Sequence, residues 1–162
     1  MSDSPSLSHL ADDGSPRMVD VGGKTPTARM ACAEAIVRYP EATFKRVLAG
    51  DLPKGGIIEP ARIAGIMAAK RTSELIPMCH GLLLEQVQID IEPLQDGTPG
   101  FQVLCSASLT GKTGVEMEAM TGAAMAALTL YDMTKGLDKG IVIEKVRLLE
   151  KSGGKSGRWK AQ

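Results

Sequence analysis

The spacing of hydrophobic positions changes several times along the chain, and each change marks an element. Leu84, Val87, Ile89 and Ile91 recur within Leu82–Leu94, and Phe101, Val103 and Cys105 within Phe101–Leu109, while Glu85, Gln86, Gln88 and Asp90 take the opposite face. This alternation predicts two strands with one wetter side, joined as a β-hairpin through Asp96-Gly97-Thr98-Pro99-Gly100. Helical spacing appears in Glu41–Ala49 (Phe44, Val47, Leu48), which Gly50-Asp51-Leu52-Pro53 ends. It appears again in Pro60–Thr72 (Ile63, Ile66, Met67), with Pro60 suited to a first helical position. The longest run, rich in Ala and Met, predicts a helix from about Val115 to about Lys135 with Gly136 as its stop. Gly140–Leu149 reads as a further strand and Met18–Val21 as a short strand-like run ended by Gly22 and Gly23; Ala28–Val37 reads as strand or short helix.

Helices placed among antiparallel strands, without regular βαβ alternation, point to an α+β fold in which helices pack on one face of the sheet. A chain of 162 residues supplies one full hydrophobic core. The expected organisation is a flexible N-terminal arm over 1–17, rich in Ser, Asp, Pro and Gly, followed by a single domain over 18–162. Residues 148–162 are its basic mobile loop and tail, with Lys151–Gly157 as the loop.

Composition then narrows the function classes. With 43% hydrophobic and 23% charged residues the chain is not largely disordered, and a formal net charge of zero removes any global electrostatic argument for nucleic acid. Charge is uneven, however: from Lys139 onward seven Lys or Arg residues face only Glu144 and Glu150, which suits a local anion site. Cys32, Cys79 and Cys105 lie far apart without CxxC or Cys/His ligand spacing, and read as free thiols in a reducing cytosol. No apolar run approaches the ~20 residues of a membrane span, and no apolar stretch follows a basic start, so a soluble cytoplasmic protein with no membrane partner is expected.

The chemistry is carried by short polar segments. Gly111-Lys112-Thr113 and Gly154-Lys155-Ser156 fail as phosphate-binding P-loops, because Ser106 and Leu149 stand where the leading glycine belongs. GxGxxG, HExxH and nucleophile-elbow patterns are absent. What remains is a set of glycine-flanked lysines, Lys54, Lys112, Lys151 and Lys155, whose backbone N–H groups and ammonium charge together suit a phosphorylated ligand. On the long helix Glu116, Glu118, Asp132 and Lys135 stand among apolar neighbours, either as the wet side of a core helix or as parts of a site. Asp132 and Lys135 share a helical face and can pair. Glu118 precedes Asp132 by fourteen residues, which at about 1.5 Å per residue separates them by about 21 Å. One small substrate meets both only if the two come from different subunits. His80 lies in a turn between Pro77 and Gly81, where a histidine is structural or catalytic.

Four segments, MVDVGGKTPTAR, ARIAGIMAAKRTSELIPMCH, LTGKTGVEMEAMTGAAMAALTLYDMTK and VRLLEKSGGKSG, resemble the molybdenum cofactor biosynthesis protein C (MoaC) family, and the resemblance runs from about Met18 to Gly157. It implies a ferredoxin-like α+β subunit assembled as a hexamer, a trimer of dimers, with active sites at the dimer interface. The implied activity is that of a lyase, cyclic pyranopterin monophosphate synthase: a 3′,8-cyclised dihydro-GTP made by a radical partner enzyme becomes cyclic pyranopterin monophosphate with release of pyrophosphate. No metal or cofactor is implied. Carried over position by position, Asp132 matches the family's active-site aspartate, Lys135 its catalytic lysine and Lys54 the lysine of its KG loop. Met78, Cys79 and His80 match one substrate-binding segment, Met117 and Glu118 another, and Glu116 is a further acid of the same motif. Lys151 and Lys155 fall in the family's mobile KSGGKSG loop. Lys54, Lys151 and Lys155 would then meet the triphosphate, Asp132, Lys135 and His80 would move protons if burial shifts them toward neutral pH, and Glu118 would hold the guanine-derived amino edge. One position departs from the family pattern: Gly81 stands where the family has proline after Cys-His, which releases a constraint on His80. The alternative reading is a non-catalytic oligomer that binds a nucleotide or pterin phosphate.

Overall fold

Five strands and four helices are described over residues 13–162 of a computed structural model, in the order β1 (Thr27–Arg38), α1 (Glu41–Leu48), α2 (Ile58–Ala69), α3 (Thr72–Leu75), β2 (Gln86–Pro93), β3 (Gly100–Gly111), α4 (Glu116–Thr134), β4 (Val142–Ser152) and β5 (Trp159–Lys160). The first twelve positions of the expected arm lie outside the described residues. The strands form one antiparallel sheet in the order β2-β3-β1-β4-β5. Without the short β5 this is the ferredoxin-like βαββαβ topology, in which each crossover helix returns the chain to a strand two places away.

Ala28–Val37 resolves as strand, and its pairing explains why. β1 is central, bonded along its whole length to β3 and along most of it to β4, so every other residue faces the helices. Those residues are Ala31, Ala33, Ala35 and Val37, all fully buried. Alanine carries little strand preference of its own, and here the two flanking ladders decide.

The small side chains have a second consequence. α4 lays Ala119, Ala123, Ala126, Ala127 and Leu130 against β1 and β3 with no exposed surface. α2 crosses α4 where Gly65 meets Gly122: a Cβ built on Gly65 would stand 2.8 Å from the Gly122 carbonyl oxygen, and one on Gly122 would stand 2.5 Å from Cys105 Sγ. Backbone touches backbone, and no larger residue fits. Under α1 the core is closed by Tyr39, Phe44 and Phe101, whose rings pack at centroid distances of 5.2–5.8 Å.

The opposite face of the sheet mixes polar and apolar side chains, Glu34 and Gln102 standing beside Ile36 and Leu104. Glu34, 4% exposed, accepts from Arg147 Nε at 2.7 Å and Gln102 Nε2 at 2.8 Å. Burial pushes its carboxyl up, and these bonds outweigh that and hold it below its ordinary value.

Several boundaries differ from the sequence reading. Met18–Val21 forms no strand, because it lies outside the sheet: the Val19 carbonyl is met by His80 Nε2 and the Val21 carbonyl by the Lys24 N–H. β2 starts at Gln86, with Leu82 and Leu84 packed on the core as irregular chain and Leu83 exposed. β4 reaches Ser152 because Glu150–Ser152 continue the ladder with Met30–Cys32, so Lys151 is a strand residue. Thr72 begins a separate short helix, and Pro60 is third in α2.

Gly122→Ala gains about 1 kcal/mol of helix propensity and loses about 1–3 kcal/mol to overpacking. Urea unfolding is expected to show a net loss of roughly 1 kcal/mol; an unchanged or raised midpoint contradicts the close-contact account.

Candidate active site

α4 begins straight after the loop Lys112–Val115, with no side chain capping its first turn and with Glu116 and Glu118 among its free N–H groups, where negative charge is favoured. The turn that follows α3 brings Met78, Cys79 and His80 against this end. Together with Glu116, Met117 and Glu118 they line a cavity of about 520 Å³, which Val19, Val21 and Lys24 wall on a further side. The five residues expected to form two substrate-binding segments, and the further acid Glu116, therefore line one cavity.

Its electrostatics favour neutral groups. Glu118 is 4% exposed, and burial pushes its carboxyl above the ordinary value of 4.5, with the charge on nearby Glu116 adding to the rise. Burial, then the charge on Glu118, push the Cys79 thiol up, so it stays a thiol near neutral pH rather than a nucleophilic thiolate. Glu116 is instead paired: Lys151 Nζ donates to its Oε1 at 2.7 Å. His80 Nε2 lies 2.8 Å from the Val19 carbonyl oxygen.

Beside the cavity, and sharing Lys24, Thr113 and Gly114 with it, is a cleft of about 710 Å³ lined by the cations Lys24, Arg29, Lys112 and Lys155 and by no carboxylate. The loop after β4 builds one wall. Gly153 and Gly154 have φ of +98° and +70°, and a Cβ on either would collide with Ala28 or with the Arg29 guanidinium. Glycine alone lets this loop lie on the start of β1 and carry Lys155 to the cleft. Four cations facing a space of this size suit a polyanion such as an oligophosphate.

The second cluster sits at the other end of α4. Asp132 takes Lys135 Nζ at 2.6 Å on one carboxylate oxygen and Lys54 Nζ at 3.1 Å on the other, and Lys54 also donates to the Asp132 carbonyl at 3.0 Å. The helical spacing of Asp132 and Lys135 thus produced the expected pair, with Lys54 joined to it across 78 residues of sequence. All three side chains are about half exposed. Hydrogen bonds from Lys135 and then Lys54 hold Asp132 below its ordinary value, and the bond to Asp132 raises Lys135. The burial that was expected to bring both toward neutrality is absent in one protomer. Glu118 and Asp132 remain at opposite ends of a 19-residue helix.

Sequence reasoning missed Lys24 and Arg29. Lys24 follows Gly22-Gly23 and meets the same glycine-flanked criterion that selected Lys54 and Lys112; Arg29 sits inside β1, and no local pattern marks it. Among the described residues no group of three or more His, Cys, Asp and Glu side chains is placed to hold a metal ion, and no helix is long and apolar enough to cross a membrane.

The ferredoxin-like α+β subunit thus carries an acid-lined cavity adjoining a cationic cleft, an arrangement whose charges suit a small phosphorylated molecule. The chain belongs to the MoaC family, whose profile matches residues 18–154. It is similar to a protein of Novosphingobium aromaticivorans, 54% identical over 96% of this chain and 97% of the relative. A Methylobacterium nodulans relative is 52% identical over 98% of each, and one from Brucella ovis 51% identical over 94% of this chain and 92% of the relative. Each relative is named cyclic pyranopterin monophosphate synthase.

Because the folded state raises the Glu118 carboxyl, its contribution to stability falls as pH rises from the unfolded value of 4.5 through the folded one. Glu118→Gln is expected to stabilise the chain toward urea at pH about 7.5 and to have little effect near pH 4. Equal effects at the two pH values contradict a buried, raised carboxyl.

Proposed function

We propose that this chain is a cyclic pyranopterin monophosphate synthase, a lyase that converts 3′,8-cyclised dihydro-GTP to cyclic pyranopterin monophosphate and pyrophosphate in molybdenum cofactor biosynthesis. The observation that carries the reading is the junction of the two spaces at Lys24, Thr113 and Gly114. A ligand with a guanine-derived bicycle at one end and a triphosphate at the other fits an acid-lined cavity continued by a cleft of cations. Lys24, Arg29, Lys112 and Lys155 meet the phosphates, with Lys151 reaching them from its pair with Glu116. Glu118 accepts hydrogen bonds from the N–H groups of the amino edge of the base. Met78 and Met117 supply apolar contact to its faces.

Asp132, Lys135 and Lys54 enter the same reaction from a second protomer. Covering this half-exposed trio with another subunit removes its water, which lowers Lys135 toward the range where it can donate and accept a proton at neutral pH. The site is accordingly shared between the protomers of a dimer, within a hexamer built as a trimer of dimers, in the cytoplasm. His80 serves as a further proton acceptor.

The alternative, a binding protein without turnover, draws on Gly81. A Cβ at this position would meet only Ser73 Oγ, at 3.7 Å, and the Gly81 N–H makes no backbone hydrogen bond among the described residues, so Gly81→Pro neither creates a Cβ clash nor breaks a backbone bond. If Gly81 has cost the chain its turnover, the wild type forms no product and Gly81→Pro restores it.

Incubation with the cyclised intermediate is expected to yield pterin product and pyrophosphate, with Lys135→Ala lowering kcat by at least about 100-fold. Undiminished turnover in Lys135→Ala removes that residue from the mechanism. Glu118→Ala and Lys135→Ala chains, each inactive alone, are expected to regain up to about a quarter of wild-type activity when co-expressed, since half of randomly paired dimers hold one intact site of two. No recovery contradicts a shared site.

A further inference from the structure

Val19–Lys24 has no regular secondary structure, yet it is pinned at four points. The Lys24 N–H donates to the Val21 carbonyl at 3.1 Å and the Gly22 N–H to Asp20 Oδ1 at 2.7 Å. Lys112 Nζ donates to the Gly22 carbonyl at 2.7 Å, and His80 Nε2 lies 2.8 Å from the Val19 carbonyl oxygen. The last contact fixes chemistry as well as position. A carbonyl oxygen only accepts, so Nε2 carries the proton, and in the neutral ring the lone pair then belongs to Nδ1.

On the other side of the histidine the Cys79 N–H donates to the Ile76 carbonyl at 3.1 Å and Leu82 packs on the core, contacts that anchor the main chain without choosing between the ring nitrogens. Cys79–Leu84 is irregular, and Gly81 lies in open space apart from Ser73. Without the Val19 contact, His80 would sit between a half-buried cysteine and a glycine with either nitrogen able to carry the proton.

We propose that this turn is a positioning device for His80: the Val19 main-chain carbonyl accepts the hydrogen bond from Nε2–H and dedicates Nδ1 as the acceptor nitrogen in the cavity, and Asp20 is the residue that holds the carbonyl in place. Asp20 closes the turn on the Gly22 N–H, the side-chain mimic of a backbone turn that aspartate forms readily. It is exposed and lines neither the cavity nor the cleft. Its effect on the reaction therefore runs through Val19 and His80. The proposal rests on the reading that His80 accepts a proton during turnover.

The test uses the full chain carrying His9→Ala, which leaves His80 as the one histidine. Long-range ¹H–¹⁵N spectra of the histidine-labelled, ligand-free protein at pH about 7.5 are expected to show a single neutral tautomer, protonated at Nε2. Asp20→Ala is expected to give a mixture of tautomers and to lower kcat about fivefold with KM nearly unchanged. Asp20→Asn retains the acceptor oxygen and is expected to match the parent in both. A tautomer protonated at Nδ1 in the parent chain overturns the proposal. So does an Asp20→Ala chain that turns over slowly with its Nε2-protonated tautomer intact, or one that matches the parent throughout. A parent chain that makes no product would refute the enzymatic reading alone, because the tautomer measurement needs no substrate.

Discussion

Everything in this subunit is set by how closely α4 approaches its neighbours. Gly65 meets Gly122 with backbone in contact, and the alanines of α4 lie on the alanines of β1 without a side chain long enough to let either slide. Close packing of small residues leaves few alternative arrangements, so the helix has one place and one rotation. Its 19 residues then act as a fixed spacer. Glu116 and Glu118 are delivered to one end, and Asp132 and Lys135 to the other, about 21 Å apart at the rise of an α-helix.

The two ends differ in their electrostatics, and the difference follows from exposure. At the first, burial drives Glu118 and Cys79 toward their neutral forms beside a separate cleft that gathers Lys24, Arg29, Lys112 and Lys155. At the second, Asp132 is held ionised by two lysines in contact with solvent. A cavity with acids but few cations, a cleft with cations but no acids, and an exposed Lys–Asp–Lys trio are complementary parts. Within one protomer the first two adjoin and the third stands apart. In the proposed dimer a second copy of the chain brings the trio to the cavity and removes its water.

Much of this was legible beforehand, and what was not has identifiable causes. The β2–β3 hairpin showed itself because Val87, Ile89 and Ile91 alternate with polar residues, and a half-buried strand needs that pattern. β1 was ambiguous because Ala31, Ala33 and Ala35 suit a helix as well as a strand, and only the ladders on both sides settle it. Met18–Val21 misled because Val19 and Val21 wall a cavity instead of joining the sheet. The pairing of Asp132 with Lys135 followed from helical geometry, whereas the arrival of Lys54 depends on a contact spanning 78 residues, which no local pattern encodes. Arg29 escaped notice for the same reason. The glycine rule found Lys112 and Lys155 of the cleft but passed over Lys24, and Gly153 and Gly154 are required where they stand because a Cβ on either would meet Ala28 or Arg29.

The central claim is that no protomer holds a complete site. Specific activity measured alongside light-scattering mass over a dilution series tests it most directly. The account predicts that turnover disappears in step with dissociation to 17.1 kDa monomers. A monomer that keeps full kcat would contradict it.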